Sequence, residues 1–179
     1  MNSRPGPLSR LLPPGEEQAR WRASARVLCL GNELLADDAL GSAVAEHLRG
    51  LTLPGVDVVD TSVTGFHLLD HILNVRRLLV IDTILTGTAD PGTVLLLREE
   101  DVRAVPGSSP HYIGLFEALA VGRKLDLAVP EEVAIIAVEA ADCYTVGGRM
   151  HPSVDKAIPD VLKLISKFLA SRLPTAPGE

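Results

Sequence analysis

Apolar residues come along this chain in short runs broken by glycine, aspartate and proline, and the runs alternate between two periods. "RVLCLG", residues 26–31, is a continuous apolar run stopped by a glycine, which predicts a buried strand. From Asp38 onward Leu40, Val44, Ala45 and Leu48 recur at helical spacing, and Gly50 follows the last of them. "VDVVD", 56–60, is a second strand. Residues 65–73, "GFHLLDHIL", suit a helix. "LLVID", 78–82, is unbroken by polar residues until its final aspartate, as a central parallel strand should be.

The second half continues the alternation. "GTVLLLR", 92–98, follows a link through Asp90, Pro91 and Gly92 that has no helical pattern and is too short for a usual crossover, so this strand is expected to be antiparallel. "IGLFEALAVGRKL", 113–125, reads as a helix and "EVAIIAVEA", 132–140, as the last strand. Residues 152–169 read as a helix with Val154, Ile158, Val161, Leu162 and Ile165 inward, bent or restarted at Pro159. Strands alternating with helices imply an α/β fold in three layers, α/β/α, around a mostly parallel, twisted sheet of about five strands with one antiparallel member. In such sheets, sites gather at the carboxyl ends of the strands.

The ends of the chain differ from its body. Residues 1–25 are rich in proline and arginine and show no clear period beyond a short helix near 16–21, with Trp21 placed to dock on the body. They are expected to form a flexible arm, residues 26–171 a single domain, and residues 172–179 a disordered tail. The 179 residues include 46% hydrophobic and 22% charged positions, with a net charge of -6. That is an ordinary globular composition, and the acidic balance argues against a nucleic-acid partner. No apolar run approaches a membrane span, and no signal-peptide core is present. Two cysteines without a CxxC suggest neither a disulfide framework nor a structural zinc site, which points to a reducing cytoplasm. A monomer is expected.

The candidate chemistry lies at the predicted strand ends. Asp37 and Asp38 stand where the first strand hands over to a helix. One aspartate is enough to cap that helix, and Asp37 is the expected cap, leaving Asp38 to point across the strand ends. Asp82 ends the third strand on the same edge. His111, stiffened by Pro110, precedes the helix at 113–125. Two carboxylates and one imidazole make a three-ligand set with an open position, of a kind that accepts zinc or nickel. Asp60 ends the second strand before "TSVTG", where it serves either a turn or the lining of the same cleft. Cys143, near His151, lacks the oriented base a nucleophile needs. His67 and His71 lie four apart without an H-E-x-x-H signature and read as a solvated face.

Four blocks in order carry a resemblance: "GNELLADDALG", "DTSVTGFHLL", "LLVIDTI" and "SPHYIGLFEAL", followed by the closing "VEAADCYTVGGRMHPSVDKAIPDVLKLI". From about residue 26 to 169 the chain resembles the hydrogenase maturation endopeptidases, which trim the C-terminus of the large subunit of nickel-iron hydrogenases. The resemblance implies a metal-dependent, aspartic-type processing endopeptidase whose partner is a large-subunit precursor. It implies that Asp38, Asp82 and His111 bind metal, that Asp38 and Asp60 serve catalysis, and that Asn32, Thr64 and Gly65 bind substrate. The metal would be nickel already installed in the precursor, with zinc or cadmium able to take the site in vitro. The metal could polarise a carbonyl or activate water, or act only as a recognition anchor while Asp60 or Asp38 activates water. Val63, Ala39 and His151 depart from the family's usual residues, which bears on substrate choice. Two other readings stand beside this one. One is a non-catalytic metal-binding or precursor-binding maturation factor. The other is a hydrolase like the peptidyl-tRNA hydrolases, which would need a histidine soon after the G-N loop, whereas His47 lies far along the helix.

Overall fold

A computed structural model of the chain describes residues 21–98, 101 and 110–171. Residues 1–20 of the arm expected over 1–25, with all but the last residue of its short helix, and the tail expected over 172–179 lie outside the described residues. Five strands form one sheet: β1 (Ala23–Leu30), β2 (Val56–Thr61), β3 (Val75–Ile84), β4 (Val94–Arg98) and β5 (Glu132–Glu139). Their order across the sheet is β2-β1-β3-β5-β4. All neighbours run parallel except β4, which pairs antiparallel with β5. The short link before β4 dictates that reversal, as expected. β1 starts at Ala23, three residues before the expected domain boundary, because Ala23 and Ala25 already pair with Val75 and Arg77 of β3. Trp21 is half-buried beside it.

Side chains alternate across each strand, so odd and even positions feed different cores. Val27, Cys29, Leu79 and Ile81 pack with α1 (Leu40–Arg49) and α4 (Pro152–Ala170). Leu28, Leu30, Leu78 and Val80 pack on the other face with α2 (Leu69–Ile72) and α3 (Pro110–Lys124). The result is the expected three-layer sandwich, and among the described residues no helix is long and apolar enough to cross a membrane.

Two helices differ in detail from their sequence patterns. The segment expected as one helix over 65–73 is a 3₁₀ turn at Gly65–Leu68 followed by the single turn of α2. Gly65 enters it at φ +63°, outside the helical region. α4 runs through Pro159 as one element. Pro159 is on the exposed face of the helix, so the carbonyl it leaves without an N–H partner is open to water.

At the amino edge of the sheet, Arg77 closes the end of α4. It is 7% exposed. Its Nε donates to Glu132 Oε2 at 2.6 Å, and its terminal nitrogens donate to the carbonyls of Phe168 and Ser171 at 2.6 and 2.8 Å. The guanidinium also lies 4.2 Å from the centroid of the Phe168 ring. A cation here satisfies carbonyls that a helix C-terminus leaves unpaired and meets the negative end of its dipole. Arg77→Met keeps the stem but removes the fork. We expect it to cost about 2–4 kcal/mol in urea denaturation. A loss below about 0.5 kcal/mol, the scale of an ordinary surface change, would show that the last turn of α4 holds without it.

Candidate active site

Parallel order reverses between β1 and β3: from β1 the chain passes through α1 to β2 on one side, and from β2 it crosses through α2 to β3 on the other. The crevice outside the carboxyl ends of those two strands is the switch point, where α/β sheets place ligands. The loop after β1 and the last residues of β3 meet there.

Two glycines let the first loop fold onto the strand end. Gly31 has φ +140°, and a Cβ on it would sit 2.1 Å from the Asp38 carbonyl oxygen. A Cβ on Gly41 would sit 2.1 Å from the carbonyl of Leu30. The chain therefore turns back tightly enough for a 3₁₀ turn, Asp37–Ala39, to lie over the end of β1.

Asp37 corrects one expectation. It is not the cap of α1: the residues before the 3₁₀ turn and before α1 are Ala36 and Ala39, and neither provides a side-chain cap. The Asp37 carboxylate is fully buried and reaches across to the loop between β5 and α4. Its Oδ2 accepts from the N–H groups of Ala141 and Asp142 at 2.7 and 2.9 Å, and its Oδ1 accepts from that of His151 at 2.5 Å. The two loops are tied further by an isolated bridge between Leu35 and Val146 and by the Ala36 N–H donating to the Thr145 carbonyl at 3.1 Å. His151 then caps α4 itself, its Nδ1 accepting from the Ser153 N–H at 3.2 Å.

With Asp37 so held, Asp38 faces the switch point. Its Oδ2 accepts from the Asn32 N–H at 2.8 Å, and its Oδ1 accepts from the Thr83 hydroxyl at 3.1 Å. Asp82 is fully buried, and its Oδ1 accepts from the Thr83 N–H at 2.8 Å. Asp38 and Asp82 are thus brought together through one residue. By strand alternation Asp82 continues the row of Leu78 and Val80, toward the face covered by α2 and α3.

His111 is the second residue of α3. Its side chain lies outside what is described. Its turn of helix sits on the same edge, because Gly114 packs so closely on the β2–α2 loop that a Cβ would lie 2.4 Å from the Gly65 Cα. The described residues hold no group of three histidine, cysteine, aspartate or glutamate side chains able to bind a metal ion. What they supply is a pair of hard oxygen donors.

Asp60 takes a different position. Its Oδ1 accepts from the Ser42 hydroxyl at 2.9 Å, and its Oδ2 pairs with Arg49 at 3.1 Å. It lines a cleft of about 410 Å³ between Gly31–Leu34 on one side and Ser42 and Asp60–Ser62 on the other. Asn32 is on that lining, while its side-chain oxygen accepts from the Leu34 N–H at 3.0 Å. Thr64 and Gly65 are not among the lining residues; they form the entry to the 3₁₀ turn against which α3 rests.

Three contributors were not singled out from the sequence. Thr83 follows a strand-end aspartate and looks like ordinary strand composition. Glu139, 1% exposed at the end of β5, accepts from the N–H groups of Thr86 and Gly87, both at 2.8 Å, and from the Thr86 hydroxyl, and so secures the loop after β3. A charged residue closing an otherwise apolar strand was its one available signal. Asp142 accepts from the N–H groups of Tyr144 and Thr145 at 2.8 and 3.0 Å, and hydrogen bonds, chiefly from the Thr145 side chain, hold its carboxyl below the usual range. Cys143 is half-buried beside this edge, with its Sγ 3.6 Å from the Thr83 hydroxyl. Burial, with Asp38, Asp37 and Asp82 adding to it, pushes its thiol up to about 11 against the pull of the Thr83 hydrogen bond. Burial pushes Cys29 up to about 12. Neither thiol is a nucleophile in waiting.

Comparison with known proteins gives a consistent answer. The family model described as HycI, hydrogenase maturation protease, matches residues 42–168. The hydrogenase expression/formation protein HoxM of Azotobacter vinelandii is 30% identical over 151 residues, covering 82% of this chain and 72% of its own. Among solved structures, the hydrogenase maturating endopeptidase HybD from Escherichia coli superposes with a TM-score of 0.71 at 29% identity, over 81% of this chain and 91% of that one. The [NiFe] hydrogenase maturation protease HybD from Thermococcus kodakarensis gives 0.63 at 25% identity, over 81% and 98%.

Two outcomes follow from this geometry. Asp37→Asn leaves one oxygen to serve three donors and removes the charge. We expect a loss of about 2–3 kcal/mol in urea denaturation, whereas a simple cap would tolerate asparagine with a few tenths lost. The second concerns pH. Only the thiolate reacts with iodoacetamide, and the rise from 9.0 to about 11 leaves Cys143 with roughly a hundredfold less thiolate at pH 8 than an unperturbed thiol. Peptide mapping should show slow labelling at pH 8 that climbs as pH approaches 11. Rapid labelling at pH 7 would show an activated cysteine instead.

Proposed function

The chain belongs to the hydrogenase maturation protease family, and on that footing we propose that it is the endopeptidase that removes the C-terminal extension of a nickel-iron hydrogenase large-subunit precursor once nickel is in place. The observation that carries this reading is that Asp38 and Asp82, at the switch point, both accept hydrogen bonds from Thr83. Two carboxylates linked through Thr83 offer hard oxygen donors to an ion at the one edge where this sheet would place a ligand.

In this reading nickel is part of the substrate. Asp38 and Asp82, with His111 from the first turn of α3, take the ion that the precursor carries and so admit loaded precursor in preference to empty. An ion held there supplies positive charge beside a scissile carbonyl. The chain's own work is positioning. Asn32 and Thr83 fix the plane of the Asp38 carboxylate, and Asp37 fixes the loop beneath it. Of the two acids assigned to catalysis, Asp38 accepts only from neutral donors, so we assign water activation to it rather than to Asp60. Asp60 is tied to Arg49 and shapes the cleft in which Asn32 meets the precursor's backbone, with Thr64 and Gly65 adding contacts from the β2–α2 loop outside that cleft. Zinc or cadmium would occupy the same oxygens in vitro. Cleavage by a monomer in the cytoplasm fits the composition, without nucleic acid or membrane as partner.

The test is incubation with candidate large-subunit precursors, with and without nickel, read by intact mass. One cleavage near the precursor's C-terminus is expected, and only in the loaded form. Asp38→Asn should fold, within about 1–2 kcal/mol of wild type, and cleave at least about a hundredfold more slowly. Equal cleavage of loaded and empty precursor would remove the nickel dependence. Stoichiometric binding without cleavage would favour a precursor-binding factor that cuts nothing.

A further inference from the structure

We propose that Thr83 is a positioning residue that locks the Asp38 and Asp82 carboxylates into one fixed relation. The proposal rests on the reading of those two acids as an ion-holding pair. Thr83 is 4% exposed and touches both of them through different groups. Its backbone N–H donates to Asp82 Oδ1 at 2.8 Å, and its hydroxyl donates to Asp38 Oδ1 at 3.1 Å.

A hydroxyl has one proton and two lone pairs. The Cys143 thiol donates to the Thr83 oxygen at 3.6 Å, so the Thr83 proton is left for Asp38. The terminal torsion of an aspartate is soft. Here it is pinned from both sides, by the Asn32 N–H on Oδ2 and by Thr83 on Oδ1, donors that come from the ends of different strands. Threonine suits the task because its branched Cβ restricts χ1, so the hydroxyl is aimed at little entropic cost. Partners of this kind, which orient the groups that hold an ion, typically change affinity 10–100-fold when removed.

The experiment titrates the full-length chain with Cd²⁺ by calorimetry, alongside thermal unfolding. The variants are Thr83→Val, Thr83→Ala and Thr83→Ser, with Asp38→Asn as control. Valine keeps the shape and the N–H to Asp82 but loses the hydroxyl; alanine loses it without adding an apolar branch and serves if the valine variant does not fold. Both should weaken Cd²⁺ binding about tenfold or more while still unfolding cooperatively. Serine should restore binding to within about threefold, because the hydroxyl rather than the shape is what matters. If Asp38→Asn loses the ion while Thr83→Val and Thr83→Ala bind like wild type, Thr83 has no such role and the proposal is overturned alone. Failure of Thr83→Ser to restore binding also overturns it, since packing would then be the cause. If Asp38→Asn binds like wild type, or wild type takes up no Cd²⁺, the ion-holding reading falls and takes the proposal with it.

Discussion

Everything at the carboxyl edge hangs on the Asp37 carboxylate. A buried carboxylate without partners would be among the most costly groups a protein can contain. Here three backbone N–H groups from the β5–α4 loop surround it. The exchange serves both sides. Both carboxylate oxygens find partners away from water, and a loop with few apolar anchors is given a fixed course. Asp38 is the next residue in the same turn, so its direction is inherited from that contact. Glu139 does the same for the loop after β3. The acids of this edge thus divide by the donors they meet. Those surrounded by backbone N–H groups build loops, and Asp38, which takes one backbone and one side-chain donor, is left facing the crevice.

The sheet order places this device where it can act. β1 and β3 lie side by side, and the chain leaves β1 toward β2 but leaves β3 toward the opposite side of the sheet, which makes their carboxyl ends the switch point. The two helical layers come from one alternating pattern, since neighbouring residues of β1 and β3 face opposite cores. A strand buried on both faces has no position for a charge except near its ends, where Arg77 and Asp82 stand. That is why Asp82 can occur only where β3 meets the edge, and why its neighbour Thr83 is on hand to join it to Asp38.

The architecture was legible because it is written in short-range patterns. Continuous apolar runs marked β1 and β3, the short link before residue 92 marked the antiparallel strand, and periodic apolar residues marked α1, α3 and α4. Asp38 and Asp82 were legible as acids at strand ends, and the sheet order sets the strands that lead to them, β1 and β3, side by side. Asp37 was misread for a physical reason: capping is a local preference, whereas its real partners are 104 to 114 residues away in sequence. No period or spacing encodes such a contact. Thr83 was legible only as a turn partner of Asp82; its links to Asp38 and Cys143 escaped for the same cause, since those residues lie 45 and 60 positions away in sequence. The segment at 65–73 had helical spacing, but the backbone at Gly65 and the closeness of Gly114 leave room only for a tighter turn and one helical turn.

The distance between Asp37 and its partners also sets a clock. A ribosome adds roughly 5–20 residues each second. His151, 114 residues downstream, therefore emerges on the order of ten seconds after the acid it must meet. Throughout that interval β1 and β3 can already pair, but the turn carrying Asp38 has no floor. A nascent chain of this protein is thus inactive by construction until almost its whole domain has left the tunnel, and no fragment ending before the β5–α4 loop can carry a finished site.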